Sequence, residues 1–130
     1  MSIVVGLDGS DRSFRALRFA LEEGKLRGVK VYAVHSLFGG DRTDMGDIER
    51  GEKILEEARK IAEEYGVEFE AKMLIRGKSP GEDIVEFAEE VNAIMIVLGM
   101  KRRSLMEEVI LGKAAKYVVV KAKQPVVLVK

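Results

Sequence analysis

Apolar residues along this chain follow two alternating rhythms. Unbroken or period-two runs at residues 2–7, 29–36, 67–75, 93–98 and 126–129 are separated by stretches where apolar side chains return every three or four positions. The first rhythm is that of strands and the second that of amphipathic helices. The run 2–7 stops at Asp8-Gly9-Ser10, a turn followed by a helix cap. Phe14, Leu17, Ala20 and Leu21 then repeat at helical spacing and Gly28 closes the pattern, which predicts a helix over 13–26. A second buried strand is expected over 29–36. Residues 38–47 hold Gly39, Gly40, Gly46 and several acids, which predicts a loop, open to motion. Ile48, Leu55, Ala58, Ile61, Ala62 and Tyr65 predict the next helix, ended by Gly66.

The third strand alternates, with Val67, Phe69, Ala71 and Met73 set against Glu68, Glu70 and Lys72, so one face is wetter and a sheet-edge position follows. Ser79-Pro80-Gly81-Glu82 predicts a helix start with Ser79 as cap, Pro80 at the first position and Glu82 completing a capping box; that helix runs to about Val91. Residues 93–98 contain no polar side chain, as expected of a central parallel strand covered on both faces. A last helix over 112–122 and a strand Val126–Val129 complete the chain, with Pro125 between them and Ser104-Leu-Met-Glu107 as a rival helix start. Strict β-α alternation implies right-handed crossovers, a doubly wound five-stranded parallel sheet and four helices on both faces. Ligands in such sheets sit at the carboxyl ends of the strands, where strand order reverses. Asp8 and Gly99 would share that crevice if the first and fourth strands are neighbours.

With 130 residues the expectation is one domain over 1–130. No apolar run reaches the roughly 18 residues of a membrane span and no basic-then-apolar leader opens the chain, so the expected location is cytoplasmic, with no membrane partner. The absence of cysteine excludes disulfides and thiolate chemistry, and one histidine excludes a histidine-rich metal site. Formal charge sums to zero but is uneven: residues 41–90 carry 16 acids and 8 bases, and residues 91–130 carry 2 acids and 8 bases. The C-terminal third therefore faces anions. With 5 Phe and 3 Tyr, mostly inside periodic apolar runs, the chain lacks the basic, aromatic surface of a nucleic-acid binder.

The anion-facing candidate is the stretch 97–113. It leaves the fourth strand at Gly99, passes Lys101, Arg102 and Arg103, and reaches Gly112-Lys113 where the last helix begins. Free N–H groups and the helix dipole suit a phosphate there; the bland alternative is a connection whose cations are simply solvated. Gly99-Met-Lys-Arg102, nine residues, then Gly112-Lys113 resembles the glycine frame of the universal stress protein family. So do Val4-Val5-Gly6-Leu7-Asp8-Gly9-Ser10, Val34-His35, Arg76-Gly77-Lys78-Ser79-Pro80, Ile96-Val97-Leu98-Gly99 and Pro125-Val126-Val127-Leu128-Val129, in order along nearly the whole chain. Spacing is kept, but Arg102 stands where the family's nucleotide binders carry glycine and Lys113 where they carry Ser or Thr.

The resemblance implies strand order 3-2-1-4-5 and an adenine nucleotide such as ATP or AMP, with or without magnesium, bound by a stress-associated, non-catalytic protein. Position by position it points to Gly6, Leu7 and Asp8 for adenosine, to the Ser36 main chain for the base, and to Leu98, Gly99, Arg102, Gly112 and Lys113 for ribose and phosphates. Lys101 and the two substituted cations add attraction for phosphate where they remove shape. A turn role in Asp-Gly-Ser is the structural alternative for Asp8. The competing functional reading is a member without nucleotide that acts as a homodimeric interaction module through the strand Val126–Val129. An enzyme is not expected: no Gly-x-Ser-x-Gly elbow occurs, Lys72 and Glu107 stand where the P-loop glycine is required, and His35 reads as a structural strand-end residue. Weak ATP hydrolysis is left open by the sequence.

Overall fold

A computed structural model of the chain describes residues 1–103, 108–109 and 111–130, with the side chains of 102, 103, 108 and 109 outside that description. The main sheet is parallel and comprises β1 (Ser2–Gly6), β2 (Lys30–Leu37), β3 (Phe69–Ile75), β4 (Ala93–Gly99) and β7 (Val126–Val129), in the order β3-β2-β1-β4-β7. Numbered by its own strands that is 3-2-1-4-5. A separate two-residue antiparallel ladder joins β5 (Arg102–Arg103) to β6 (Glu108–Val109). The rival helix start at 104–107 lies outside the described residues.

Burial follows the position of each strand in the sheet. All five residues of β1 are buried, and most of β4, because helices cover both faces there. The edge strands β3 and β7 are half-exposed, as the alternation in β3 predicts. Helices α1 (Asp11–Arg27) and α2 (Met45–Glu63) pack on one face, burying Leu17, Leu21, Leu55 and Ala58 against Ile3, Val5 and Val97. On the other face lie α3 (Pro80–Glu90) and α4 (Lys113–Lys121), whose Ile84, Phe87, Ala88 and Val118 cover Val4, Val34 and Ile96. Alternate residues of one central strand therefore feed two separate cores.

Helix ends show where local chemistry departs from the sequence expectation. Gly28 ends α1 in the left-handed conformation at φ 66°, as its position after the last apolar repeat predicts. The expected loop over 38–47 is shorter than predicted. It contains a 3₁₀ turn at Gly40–Arg42, and α2 already starts at Met45 because Asp44 and Asp47 form a reciprocal cap, at 2.8 and 3.0 Å. The capping box expected at Ser79 and Glu82 is absent: Ser79 Oγ donates to Glu82 Oε1 at 2.8 Å, so the two side chains satisfy each other instead of the backbone.

Leu17 is fully buried between α1 and the sheet. Leu17→Ala is expected to lower unfolding free energy by about 2–5 kcal/mol, read from urea denaturation; a change below about 1 kcal/mol would mean that this face is not a packed core.

Candidate functional site

The sheet order brings the carboxyl ends of β1 and β4 side by side, since Val5 pairs with Val97. A crevice of about 300 Å³ opens there. Gly6, Leu7, Asp8, Ser36, Leu98, Gly99, Lys101, Gly112 and Lys113 all line it. Of the ten candidates only Arg102 is missing from this lining, because its side chain lies outside the described residues. Residues not anticipated also contribute, among them Arg12, Val34, His35, Pro80, Ile84 and Ala115.

Asp8 is both a turn residue and a crevice residue. Its Oδ1 accepts from the Ser10 amide at 2.9 Å and from the Ser10 hydroxyl, and Ser10 Oγ in turn caps α1 by accepting from Ser13 N at 3.2 Å. Its Oδ2 takes Arg12 Nη2 at 3.3 Å, one helical turn on. Burial alone would raise the Asp8 carboxyl, but the Ser10 hydroxyl and amide and the Arg12 guanidinium outweigh it and hold the group below the ordinary aspartate range. Each carboxylate oxygen has two lone-pair sites, so Oδ2 keeps one for a hydroxyl donor in the crevice.

The main chain at the strand ends is less free than the sequence suggests. Leu7 N donates to Val34 O at 2.8 Å, and His35 Nδ1 lies 2.8 Å from Leu7 O. A carbonyl only accepts, so His35 carries its proton on Nδ1. Leu7 N is thus engaged, while Leu7 O keeps one lone pair, so Leu7 offers a ligand that acceptor and its apolar side chain. Ser36 differs. In a parallel ladder successive residues turn their N–H and C=O to opposite neighbours; Val34 faces β1, so Ser36 faces the same way, past the end of β1 and into the crevice. His35 holds Leu7 O, the group the Ser36 amide would otherwise meet.

The two frame glycines serve different ends. A Cβ on Gly99 would lie 2.8 Å from the backbone C and O of Arg12, so glycine is required for α1 to pack against β4. The resemblance points to Gly99 for ribose and phosphate; its first requirement in the fold is this helix contact. Gly112 sits at φ −62° and a Cβ there would meet no described atom within 4 Å. It leads into the first turn of α4, which has no side-chain cap among the described residues, and Lys113, Ala114 and Ala115 of that turn line the crevice. Uncapped N–H groups, the helix dipole and the cations Lys101, Lys113 and Arg12 make this the anion-attracting end. Beneath the opposite end lies a buried polar chain that sequence reading missed: Ser36 Oγ donates to Asp83 Oδ2 at 2.7 Å, and Arg76 Nε to Asp83 Oδ1 at 2.6 Å.

Comparison with known proteins agrees with the architecture. The sequence profile of the universal stress protein family matches residues 1–130. A universal stress protein of Methanocaldococcus jannaschii is 34% identical, over 98% of this chain and 81% of that protein. A solved universal stress protein of Archaeoglobus fulgidus superposes with TM-score 0.93 at 50% identity, covering 100% of this chain and 98% of the other. A universal stress protein of Archaeoglobus fulgidus in complex with dAMP superposes with TM-score 0.87 at 47% identity, with the same coverage.

Two outcomes follow from this geometry. Gly99→Ala is expected to lower stability by about 1–3 kcal/mol through the contact with Arg12, and a stability equal to wild type in urea would contradict the close approach. Asp8, with its folded pKa depressed, contributes stability that is present above the unfolded value of about 3.9 and is lost as pH falls through the lower folded value. The difference in melting temperature between wild type and Asp8→Asn should therefore shrink as pH drops below about 3.9; a difference independent of pH would refute the assignment.

Proposed function

We propose, from the premise that the chain belongs to the universal stress protein family, that it binds an adenine nucleotide and acts as a stress-associated sensor or regulator through occupancy rather than turnover. One observation carries this reading: the order of chemistry across the crevice. At the β2 end lie Ser36 and the apolar Val34 and Ile84, at the β1 end the Asp8 carboxylate, and beyond β4 the cations Lys101 and Lys113 with the start of α4. A purine, a ribose and a phosphate present the complementary series: a flat apolar ring with polar edges, hydroxyl donors, then negative charge.

The site assignment keeps Gly6, Leu7, Asp8 and Ser36 for the nucleoside, and Leu98, Gly99, Lys101, Arg102, Gly112 and Lys113 for ribose and phosphate. Leu7 serves by apolar contact and by the remaining lone pair of its carbonyl. The first turn of α4, uncapped among the described residues, fits a phosphate oxygen, which supports the nucleotide over a solvated loop. That a protein 47% identical is complexed with dAMP supports adenine as the base. Among the described residues no group of three or more His, Cys, Asp or Glu side chains could hold a metal. Magnesium entering here would ride on the phosphates and keep most of its waters. His35, the chain's single imidazole, is committed to Leu7 O, which supports binding over catalysis.

The proposal includes a cytoplasmic homodimer joined through β7. That strand is an edge of the sheet, and Val119 and Val120 on the preceding helix are 44% and 71% exposed. The same edge favours the second reading, an interaction module without nucleotide.

Calorimetric titration with AMP, ADP and ATP should give saturable binding below about 1 mM, weakened about tenfold by Asp8→Ala; no heat at that concentration would refute the nucleotide. Light scattering at micromolar protein should report a dimer. A dimer that ignores all three nucleotides selects the second reading, and a monomer rejects the β7 interface.

A further inference from the structure

The buried chain behind Ser36 has a consequence for which base the crevice takes. Asp83 is fully buried in α3, and its carboxylate is held from two sides. Arg76 donates Nε to Oδ1 at 2.6 Å and Nη2 to the Asp83 carbonyl at 3.3 Å, while Ser36 Oγ donates to Oδ2 at 2.7 Å. Arg76 is itself anchored by Glu90, whose two oxygens accept Nη1 at 2.9 and 2.7 Å. A carboxylate paired with guanidinium has only acceptors, so the one proton of the Ser36 hydroxyl is spent on Asp83. Ser36 lines the crevice at its apolar end, beside Val34 and Ile84. What its hydroxyl can still offer a ligand is lone pairs.

We infer that Asp83 is a positioning residue that fixes Ser36 Oγ as a hydrogen-bond acceptor, so that the crevice selects a purine bearing an amino group at its six-membered ring edge over one bearing a carbonyl. The inference rests on the reading of the crevice as a purine-nucleotide site and names its discrimination. An amino group donates to the Ser36 oxygen. A carbonyl there meets Ser36 Oγ lone pair with lone pair, an unfavourable contact that the amino group does not make. Polarity here is set by a residue that does not touch the ligand.

The isosteric change Asp83→Asn separates this role from simple support. Arg76 requires an oxygen opposite Nε, so the Asn amide oxygen stays there and its NH₂ turns to Ser36. The NH₂ donates to Ser36 Oγ, and the hydroxyl proton is released toward the crevice. Arg76 keeps its two bonds to Glu90, so no guanidinium is left without a carboxylate. A structural role alone would weaken all ligands together; the polarity role changes their ratio.

The test compares AMP with IMP, which differ by amino against carbonyl at this edge, on wild type, Asp83→Asn and Ser36→Ala, each checked for a cooperative thermal melt. Wild type should favour AMP about tenfold. Asp83→Asn should bring the ratio to about one or reverse it by gaining IMP, whereas Ser36→Ala should bring it toward one by losing AMP alone. Equal wild-type affinity for both nucleotides, or a wild-type ratio preserved in the folded variants, would overturn the inference and leave the nucleotide site standing. Should Asp83→Asn not fold, Ser36→Ala decides by the same ratio. Wild-type protein that binds neither purine overturns the site and the inference together.

Discussion

The neighbourhood of β1 and β4 is the constraint from which the rest of the structure follows. Chain order places β2 and β3 on one side of β1, and β4 with β7 on the other, so the crossovers diverge to opposite faces. No helix can then close over the carboxyl ends of β1 and β4, and the gap has to be walled by whatever follows each strand. Asp8 follows β1, Lys101 follows β4, and the α4 start arrives across the opening. The gap is kept narrow by direct contact of the Arg12 backbone with Gly99, where no side chain fits. One glycine thus links sheet packing to the width of the crevice.

Electrostatics then grades the crevice. Two cations of the C-terminal third, Lys101 and Lys113, converge with Arg12 of the first helix at one end. Asp8 sits at the middle with its anionic form favoured by Ser10 and Arg12, despite the cost of burial. At the far end the partly exposed Arg76 and Ser36 satisfy the buried Asp83, which avoids the penalty of an unpaired charge in a low-dielectric interior. A crevice with acceptors at one end and cations at the other discriminates by orientation as well as by size.

Much of this was legible in the sequence, for a physical reason in each case. Strands buried on two faces, such as 93–98, must be apolar throughout, and an edge strand such as 67–75 must alternate; both patterns survive in one dimension. Asp8, Ser36, Gly99 and Gly112 stand at element ends, and element ends are what periodicity locates. Contacts set by three-dimensional convergence were hidden. Asp83 reads as one more acid on a helix, since its partners Ser36 and Arg76 lie 47 and 7 residues away. The engagement of the Leu7 carbonyl depends on His35 reaching from β2 to the end of β1. Arg12 alone left a trace, as a cation one helical turn after Asp8. The Asp44–Asp47 cap was missed because the usual signature places Glu or Gln at its third helical position, and Asp serves there as well.

We propose that the opening between β1 and β4 holds an adenine nucleotide. Amide chemical shifts followed while AMP is added to isotope-labelled protein test it most directly. Saturable shifts are expected at Gly6, Leu7, Asp8, Ser36, Gly99 and the first turn of α4, with the exposed face of α2 unmoved. Shifts centred on α2, or none at saturating nucleotide, would contradict it.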